Sequence, residues 1–182
     1  ETSYAGSIEA RGGVEAGDGG LVEVSGKYSL VFNGLVDAGA SSGIAGSLLL
    51  DPYDFTIGMD QAGLINRVLR TGTSTSVSAD HDLFVNYAID GRGRYAGGGL
   101  TLTAGNNLNV NNNIITNNGA INLFTTVGSL NLTSGKVVYA GTSPITLRSG
   151  GTLTNAAYLI GGPLSLISTR GSVNINQGID NS

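Results

Sequence analysis

Apolar residues recur in pairs, one residue apart, through the second half of the chain: Leu100 and Leu102, Ile121 and Leu123, Ile145 and Leu147, Leu164 and Leu166. Period-two alternation is strand behaviour, which puts the paired residues on one side and Thr101 or Asn122 on the other. A second site follows each pair: Leu108 with Val110, Leu130 with Leu132, Leu153 alone, then Val173 with Ile175. A looser third comprises Ile114 and Ile115, Val137 and Val138, Leu159 and Ile160, then Ile179. The first series advances by 21, 24 and 19 residues and the second by 22, 23 and 20. Strands this short cannot bury an apolar face alone, so a unit repeating at this interval must stack on copies of itself. Three strands per unit describe a triangular coil whose sides stack as parallel strands about 4.8 Å apart. The expected core is therefore columnar, with Leu102, Leu123, Leu147 and Leu166 in one stack and Leu108, Leu130, Leu153 and Val173 in another. Leu132 should point inward and Thr133 outward.

Between the pairs lie Ala104-Gly105-Asn106-Asn107, Asn117-Asn118-Gly119, Ser134-Gly135, Ser149-Gly150-Gly151 and Gly161-Gly162-Pro163. These residues suit tight corners. Residues 1–58 read as less regular coils, with short strands at Ser7–Ala10, Leu21–Val24, Leu30–Phe32, Leu35–Val36 and Ser47–Leu50 between glycine corners. From Met59 to Arg70 the period changes, because Leu64, Ile65, Val68 and Leu69 recur at helical spacing, and a short helix over 59–71 should cover one side. Residues 72–182 then form the regular coils, beginning with Thr75 and Val77, then Leu83 and Val85. The 25-residue step from Val77 to Leu102 places its excess in Asp90-Gly91-Arg92-Gly93-Arg94-Tyr95, which predicts a protruding loop. The fold class is all-β, a single parallel β-helix with one short helical or irregular insertion near 59–70.

Composition narrows the partners. In 182 residues, 40% are hydrophobic but 6% aromatic, which suits a long, thin aliphatic core. Charged residues make up 12% and the net charge is −4, arguing against nucleic acid or an anionic membrane as the main partner. No apolar run reaches the length of a membrane span, so membrane insertion is not expected. Cysteine is absent, which leaves ladder and core to supply stability. The chain opens at Glu1 without a signal segment and stops in mid-coil at Asp180-Asn181-Ser182, both of which read as a piece excised from a longer chain.

The run Gly12-Gly13, Gly17-Asp18-Gly19-Gly20-Leu21-Val22-Glu23-Val24-Ser25-Gly26-Lys27, then Gly34-Leu35-Val36-Asp37, then Gly46 to Ile57 resembles a signature block of large bacterial exoproteins. These are the filamentous haemagglutinin-like proteins of two-partner secretion: adhesins, haem-acquisition proteins, haemolysins and contact-dependent toxins. The stretches Thr73 to Val85 and Leu100 to Val110 resemble the coils that follow that block. The resemblance implies a right-handed parallel β-helix, secretion to the bacterial cell surface through an outer-membrane two-partner transporter, and a role in cell adhesion and virulence through a host-cell surface glycan or protein. The Asn-Pro-Asn motifs of the family's secretion domain do not occur, which points to the shaft or binding region.

Several residues invite a chemical reading. Asp80-His81-Asp82 holds the only histidine, but on an extended strand His81 points away from both carboxylates, so the group reads as a solvated corner and no metal site is expected. Asp51 and Asp54 flank Pro52-Tyr53 as in a turn whose carboxylates bond backbone amides. Gly26-Lys27 lacks the glycine five residues earlier that a phosphate loop needs, and Tyr28 replaces its Ser or Thr. The asparagines crowding Asn106 to Asn131 read as amide stacks along the coil axis. Asn131-Leu132-Thr133 is a glycosylation sequon, with Asn131 facing outward.

Two function classes survive: a non-enzymatic adhesive module, with haem acquisition from a host carrier as a variant, and a polysaccharide-active β-helix enzyme. The enzyme needs clustered acids, yet Asp180 is the one carboxylate side chain from Leu100 onward. The expectation is a non-enzymatic module with no catalytic residues and no cofactor. Asp90, Arg92, Arg94 and Tyr95 form the candidate interaction loop, since arginine and tyrosine often anchor interfaces.

Overall fold

A computed structural model describes residues 2–26 and 30–181. Glu1, Ser182 and the Lys27-Tyr28 pair weighed as a phosphate loop lie outside the described residues. The chain begins with β1 (Thr2–Tyr4), β2 (Ser7–Glu9), β3 (Leu21–Gly26), β4 (Leu30–Phe32), β5 (Leu35–Asp37), β6 (Ser47–Pro52), β7 (Phe55–Ile57) and α1 (Met59–Arg70). It continues through β8 (Ser74–Ala79), β9 (Leu83–Val85), β10 (Ile89–Asp90), β11 (Leu100–Ala104), β12 (Leu108–Val110), β13 (Ile114–Ile115), β14 (Ile121–Thr125) and β15 (Leu130–Leu132). The last elements are β16 (Val137–Tyr139), β17 (Ile145–Ser149), β18 (Leu153–Asn155), β19 (Tyr158–Gly161), β20 (Leu164–Ser168), β21 (Val173–Ile175) and β22 (Ile179–Asn181).

Every strand pairing among the described residues is parallel. One side of the solenoid is the seven-stranded sheet β3-β6-β8-β11-β14-β17-β20, the second carries β7-β9-β12-β15-β18-β21, and the third β10-β13-β16-β19-β22. The two-stranded sheets β1-β4 and β2-β5 continue the second and third sides in chain order. The expected columns are present: Leu102 pairs with Leu123, Leu123 with Leu147 and Leu147 with Leu166, while Leu108, Leu130, Leu153 and Val173 follow one another on the second side. Ile114, Val138, Leu159 and Ile179 make the third column. Leu102, Leu123, Leu147, Leu108, Leu130, Leu153, Ile114, Val138 and Leu159 are fully buried. Each such side chain contributes about 1.5–3 kcal/mol of transfer free energy, so the fold rests on repetition of a small unit.

α1 takes the third-side position of its coil and packs between β5 and β10. Its inner stripe is Ala62, Leu64, Ile65, Val68 and Leu69, and Asp60 in the first turn with Arg67 and Arg70 in the last suit the helix dipole. The Thr71 hydroxyl donates to Val68 O (2.7 Å), and Gly72, at φ +84°, turns the chain back toward β8. Two local expectations are corrected. Asp51 and Pro52 end strand β6, so the bend is Tyr53-Asp54 alone. Asp90 closes strand β10 rather than opening a loop.

Candidate interaction surface

Each side of the solenoid presents one outward row per strand position, and the three differ in chemistry. On the first side Ser76, Thr101, Asn122, Thr146 and Ser165 lie in register. On the second the row runs Phe84, Asn109, Asn131, Thr154 and Asn174. Their amides and hydroxyls bond along the axis: Asn122 Nδ2 to Thr101 Oγ1 (3.3 Å), Asn131 Nδ2 to Asn109 Oδ1 (3.1 Å), Asn111 Nδ2 to Asn86 Oδ1 (2.9 Å) and Thr133 Oγ1 to Asn111 Oδ1 (3.0 Å). The stacked-amide reading holds. Asn131 faces outward, but its Nδ2 is engaged in this ladder, so a glycan there would displace a ladder bond.

The third side is different. Its outward row runs Asp90, Ile115, Tyr139, Ile160 and Asp180, with Val137 beside Tyr158. Tyr139 is 37% exposed and Tyr158 46%, whereas Val138 and Leu159 between them are fully buried. Carboxylates close this apolar strip at both ends, and cations lie on the same side of the solenoid. Lys136 precedes β16, Arg67 and Arg70 stand on the exposed stripe of α1, and Arg92 lies within electrostatic reach of the Tyr139 phenol. Among the described residues Arg67, Arg70, Arg94 and Lys136 form no ion pair.

The segment from Asp90 to Tyr95 joins this side to α1. Arg92 forks onto Asp90 (Nη2 to Oδ2 2.6 Å, Nε to Oδ1 3.0 Å), and those bonds hold the Asp90 carboxyl below the ordinary carboxylate range. Asp90 N–H donates to Asn66 Oδ1 on α1 (2.7 Å), and Arg70 Nε donates to Arg92 O (3.2 Å). Asn117 Nδ2 in the next coil donates to Gly93 O (3.0 Å) and Tyr95 O (3.1 Å). The segment is exposed at Arg92, Arg94 and Tyr95, with the Arg94 guanidinium 5.7 Å from the Tyr95 ring centroid, yet it is tied down at both edges. It does not protrude freely.

At the opposite corner, between first and second sides, the carboxylates gather. Asp80 and His81 form a bend, so the strand geometry expected for His81 does not apply. Its Nδ1 lies 3.0 Å from Asp54 Oδ1 of the preceding coil and 3.7 Å from Asp82 Oδ2, and its ring stacks on Tyr53 at 5.6 Å. Asp82 Oδ1 accepts from Asn106 Nδ2 (2.9 Å) and the Asn107 amide (2.9 Å). This is a further ladder, with Asp54, Asp82, Asn107 and the Ser129 amide linked from coil to coil. Among the described residues no group of three His, Asp or Glu side chains is placed to hold a metal ion.

Two carboxylates in this corner titrate in opposite senses. The Asp82 N–H, and then His81, hold Asp54 low, so its ionised form favours folding above the unfolded pKa, and that support is lost as pH falls through the lower folded value. Burial, and then Asp80, push Asp51 up, so the folded state binds its proton more tightly and the contribution is lost as pH rises through the raised value. Asp51→Asn should therefore raise Tm at pH 7 and lose that advantage below the ordinary carboxylate range. Asp54→Asn should lower Tm slightly at pH 7, since the side chain is 57% exposed. Thermal melts of both variants from pH 3 to 7 check this; parallel curves for wild type and Asp51→Asn would contradict it.

Comparison of the chain with protein-family models, with curated proteins and with solved structures finds no match.

Proposed function

We propose that the chain is a non-enzymatic binding segment of a secreted, cell-surface exoprotein of the filamentous haemagglutinin-like kind, serving attachment to host cells or other bacteria. The Gly17 to Ile57 block that resembles those exoproteins motivates the family, and a transporter of the two-partner type would export the parent chain. The observation that carries the adhesive reading is the solenoid's outer surface: amides and hydroxyls dominate the central outward rows of the first and second sides, bonded along the axis at Asn122–Thr101 and Asn131–Asn109, and the third carries an aromatic and aliphatic strip between Asp90 and Asp180. A ladder whose donors and acceptors face one another is a shaft, and an unpartnered apolar strip is a place to bind.

The polysaccharide-active alternative has less support. Glycoside hydrolysis uses two carboxyl groups flanking one bond, about 5–9.5 Å apart. Three surface hollows hold at most one carboxylate each: Asp60 beside Arg67, Asp18 beside Ile44, and none beside Phe124 and Arg148. Of the acids that gather at the corner between first and second sides, Asp54 and Asp82 accept backbone and amide N–H groups from the next coil, and Asp51 is partly buried close to Asp80. No helix among the described residues is long and apolar enough to cross a membrane.

Beads coated with the folded segment should adhere to epithelial cells, and soluble segment in excess should compete them off. Adhesion no greater than that of beads carrying the heat-unfolded chain would overturn the proposal, as would release of reducing or unsaturated sugar ends from a polysaccharide panel.

A further inference from the structure

We propose that the first side carries a binding site for a carboxylate-bearing pyranose, the ring of a uronic or sialic acid, in the hollow beside Phe124 and Arg148. This rests on the reading of the chain as a binding segment and adds, apart from the third-side strip, a separate site with a stated ligand class. The first side has two outward rows. One is the bonded row through Thr101 and Asn122, and the other runs Ser78, Thr103, Phe124, Arg148 and Ile167 in register. Where this second row meets the turn toward the second side, Thr103, Phe124, Thr125, Thr126, Arg148 and Thr169 line a hollow of about 250 Å³. Thr125 Oγ1 donates to Gly128 O (2.7 Å) and Thr169 Oγ1 to Gly150 O (3.2 Å), so those two hydroxyls serve the corner. The Thr103 and Thr126 hydroxyls and the Arg148 guanidinium have no hydrogen-bond or ion-pair partner among the described residues. Phe124 is half-buried between them, with Thr103 one strand before it and Arg148 one strand after.

The class of ligand follows from what these groups lack. A guanidinium fork matches a carboxylate with two parallel bonds, and no carboxylate lines the hollow. The acids of the first side and its corner, from Glu23 to Asp82, all precede β9, and between Asp90 and Asp180 the sequence holds none. At least three strand spacings, about 14 Å, therefore separate those acids from Arg148 along the axis, beyond the Debye length of about 8 Å. Asp180 stands on the third side, and Arg170 follows Thr169 in the corner as a second cation. A small inorganic anion would use the arginine and leave Phe124 bare. An extended peptide is held by main-chain bonds at a sheet edge, and the face of this seven-stranded sheet offers none. A sugar acid uses all three features: its carboxylate meets Arg148, the C–H face of its ring packs on Phe124, and its hydroxyls meet Thr103 and Thr126. The dimensions agree. Thr103 and Arg148 lie two strand spacings apart, about 9.6 Å, and the hollow is smaller than the ~300–1,000 Å³ of drug-sized pockets, so it takes one ring rather than a chain segment.

The test is an NMR titration of the whole chain with methyl β-glucuronide and methyl α-sialoside as probes, and methyl β-glucoside, acetate and inorganic phosphate as comparators. Wild type should bind an acid ring in the millimolar range, because one ring buries little surface, and about tenfold or more tightly than the glucoside or acetate. Shifts should centre on Thr103, Phe124 and Arg148. Arg148→Gln and Phe124→Thr should each weaken binding about fivefold or more, and Thr103→Val with Thr126→Val about threefold. Lys136→Met, which removes a cation from the third side, should stay within about twofold of wild type. The substitutions fall at outward positions on separate strands or corners, so a folding defect in one leaves the others to decide. The tighter of the two acid rings names the source, a uronic-acid polymer or a sialylated glycan. Glucoside bound as tightly as glucuronide, acetate or phosphate bound as tightly as either acid ring, or Arg148→Gln indistinguishable from wild type would overturn the proposal. Bead adhesion to cells without acid-sugar binding sinks this site and leaves the adhesive reading; acid-sugar binding without bead adhesion does the reverse.

Discussion

Leu123→Asp should unfold the middle of the solenoid, lowering stability by about 5 kcal/mol and Tm by about 10–20 °C, whereas Asn122→Asp one residue away should cost little. Leu123 is fully buried, with Leu102 and Leu147 directly above and below it in register. A carboxylate there loses the methyl contacts of both neighbours and either stays charged in an apolar column or takes up a proton, and each course is costly. Asn122 points outward and shares only one 3.3 Å bond with Thr101. The loss should also propagate. A coil in a solenoid touches only its neighbours, so disrupting one removes an interface on each side, and hydrogen exchange should show the coils from β11 to β17 opening together. Comparable melting of the two variants by circular dichroism would show the inward and outward assignment to be reversed.

The columns were legible because alternation survives in strands of three to five residues, and each residue on a parallel ladder faces its equivalent in the next coil. The corners were less legible. The Asp54–His81 contact joins residues 27 apart, and its signal was the likeness of Phe55 and Ile57 to Leu83 and Val85, which pair in register and so align Asp54 with Asp82. Reading Asp80-His81-Asp82 as a strand hid it. Asn155 was missed for another reason: it occupies an inward position in the column of Val110 and Leu132, fully buried, where a polar residue breaks the apolar pattern. Its amide satisfies itself on Ala157 N–H and O while turning the chain. The third side's strip escaped notice because a two-residue strand such as β13 has no alternation to read. The surplus length near Asp90 to Tyr95 was visible, but its packing on α1 is a tertiary matter. Gly91 fits against Leu69 and Gly93 against Arg70, contacts that no local pattern encodes.

Gly105→Ala should destabilise the chain by about 2–3 kcal/mol, while Gly63→Ala should stabilise it by about 0.5–1 kcal/mol. Gly105 sits in the corner after β11, where its N–H donates to Ala79 O (2.9 Å) and its carbonyl accepts from Val127 N–H (3.1 Å), so it is bonded to the coils on both sides. A Cβ built there would lie 1.9 Å from Asp80 O, a backbone atom that cannot swing aside. Relief requires the corner to move away from Asp80, which loosens the bond to Ala79 and disturbs the carboxylate ladder through Asp82 and Asn106 beside it. Gly63 is the opposite case. It lies on the exposed stripe inside α1, a Cβ there meets nothing within 4 Å, and its cost to the helix is backbone entropy that alanine removes. Urea melts of the two single variants and of the pair should give additive shifts, since the sites share no partner. A neutral Gly105→Ala would mean that the corner has slack and that coil spacing is set by the strands alone.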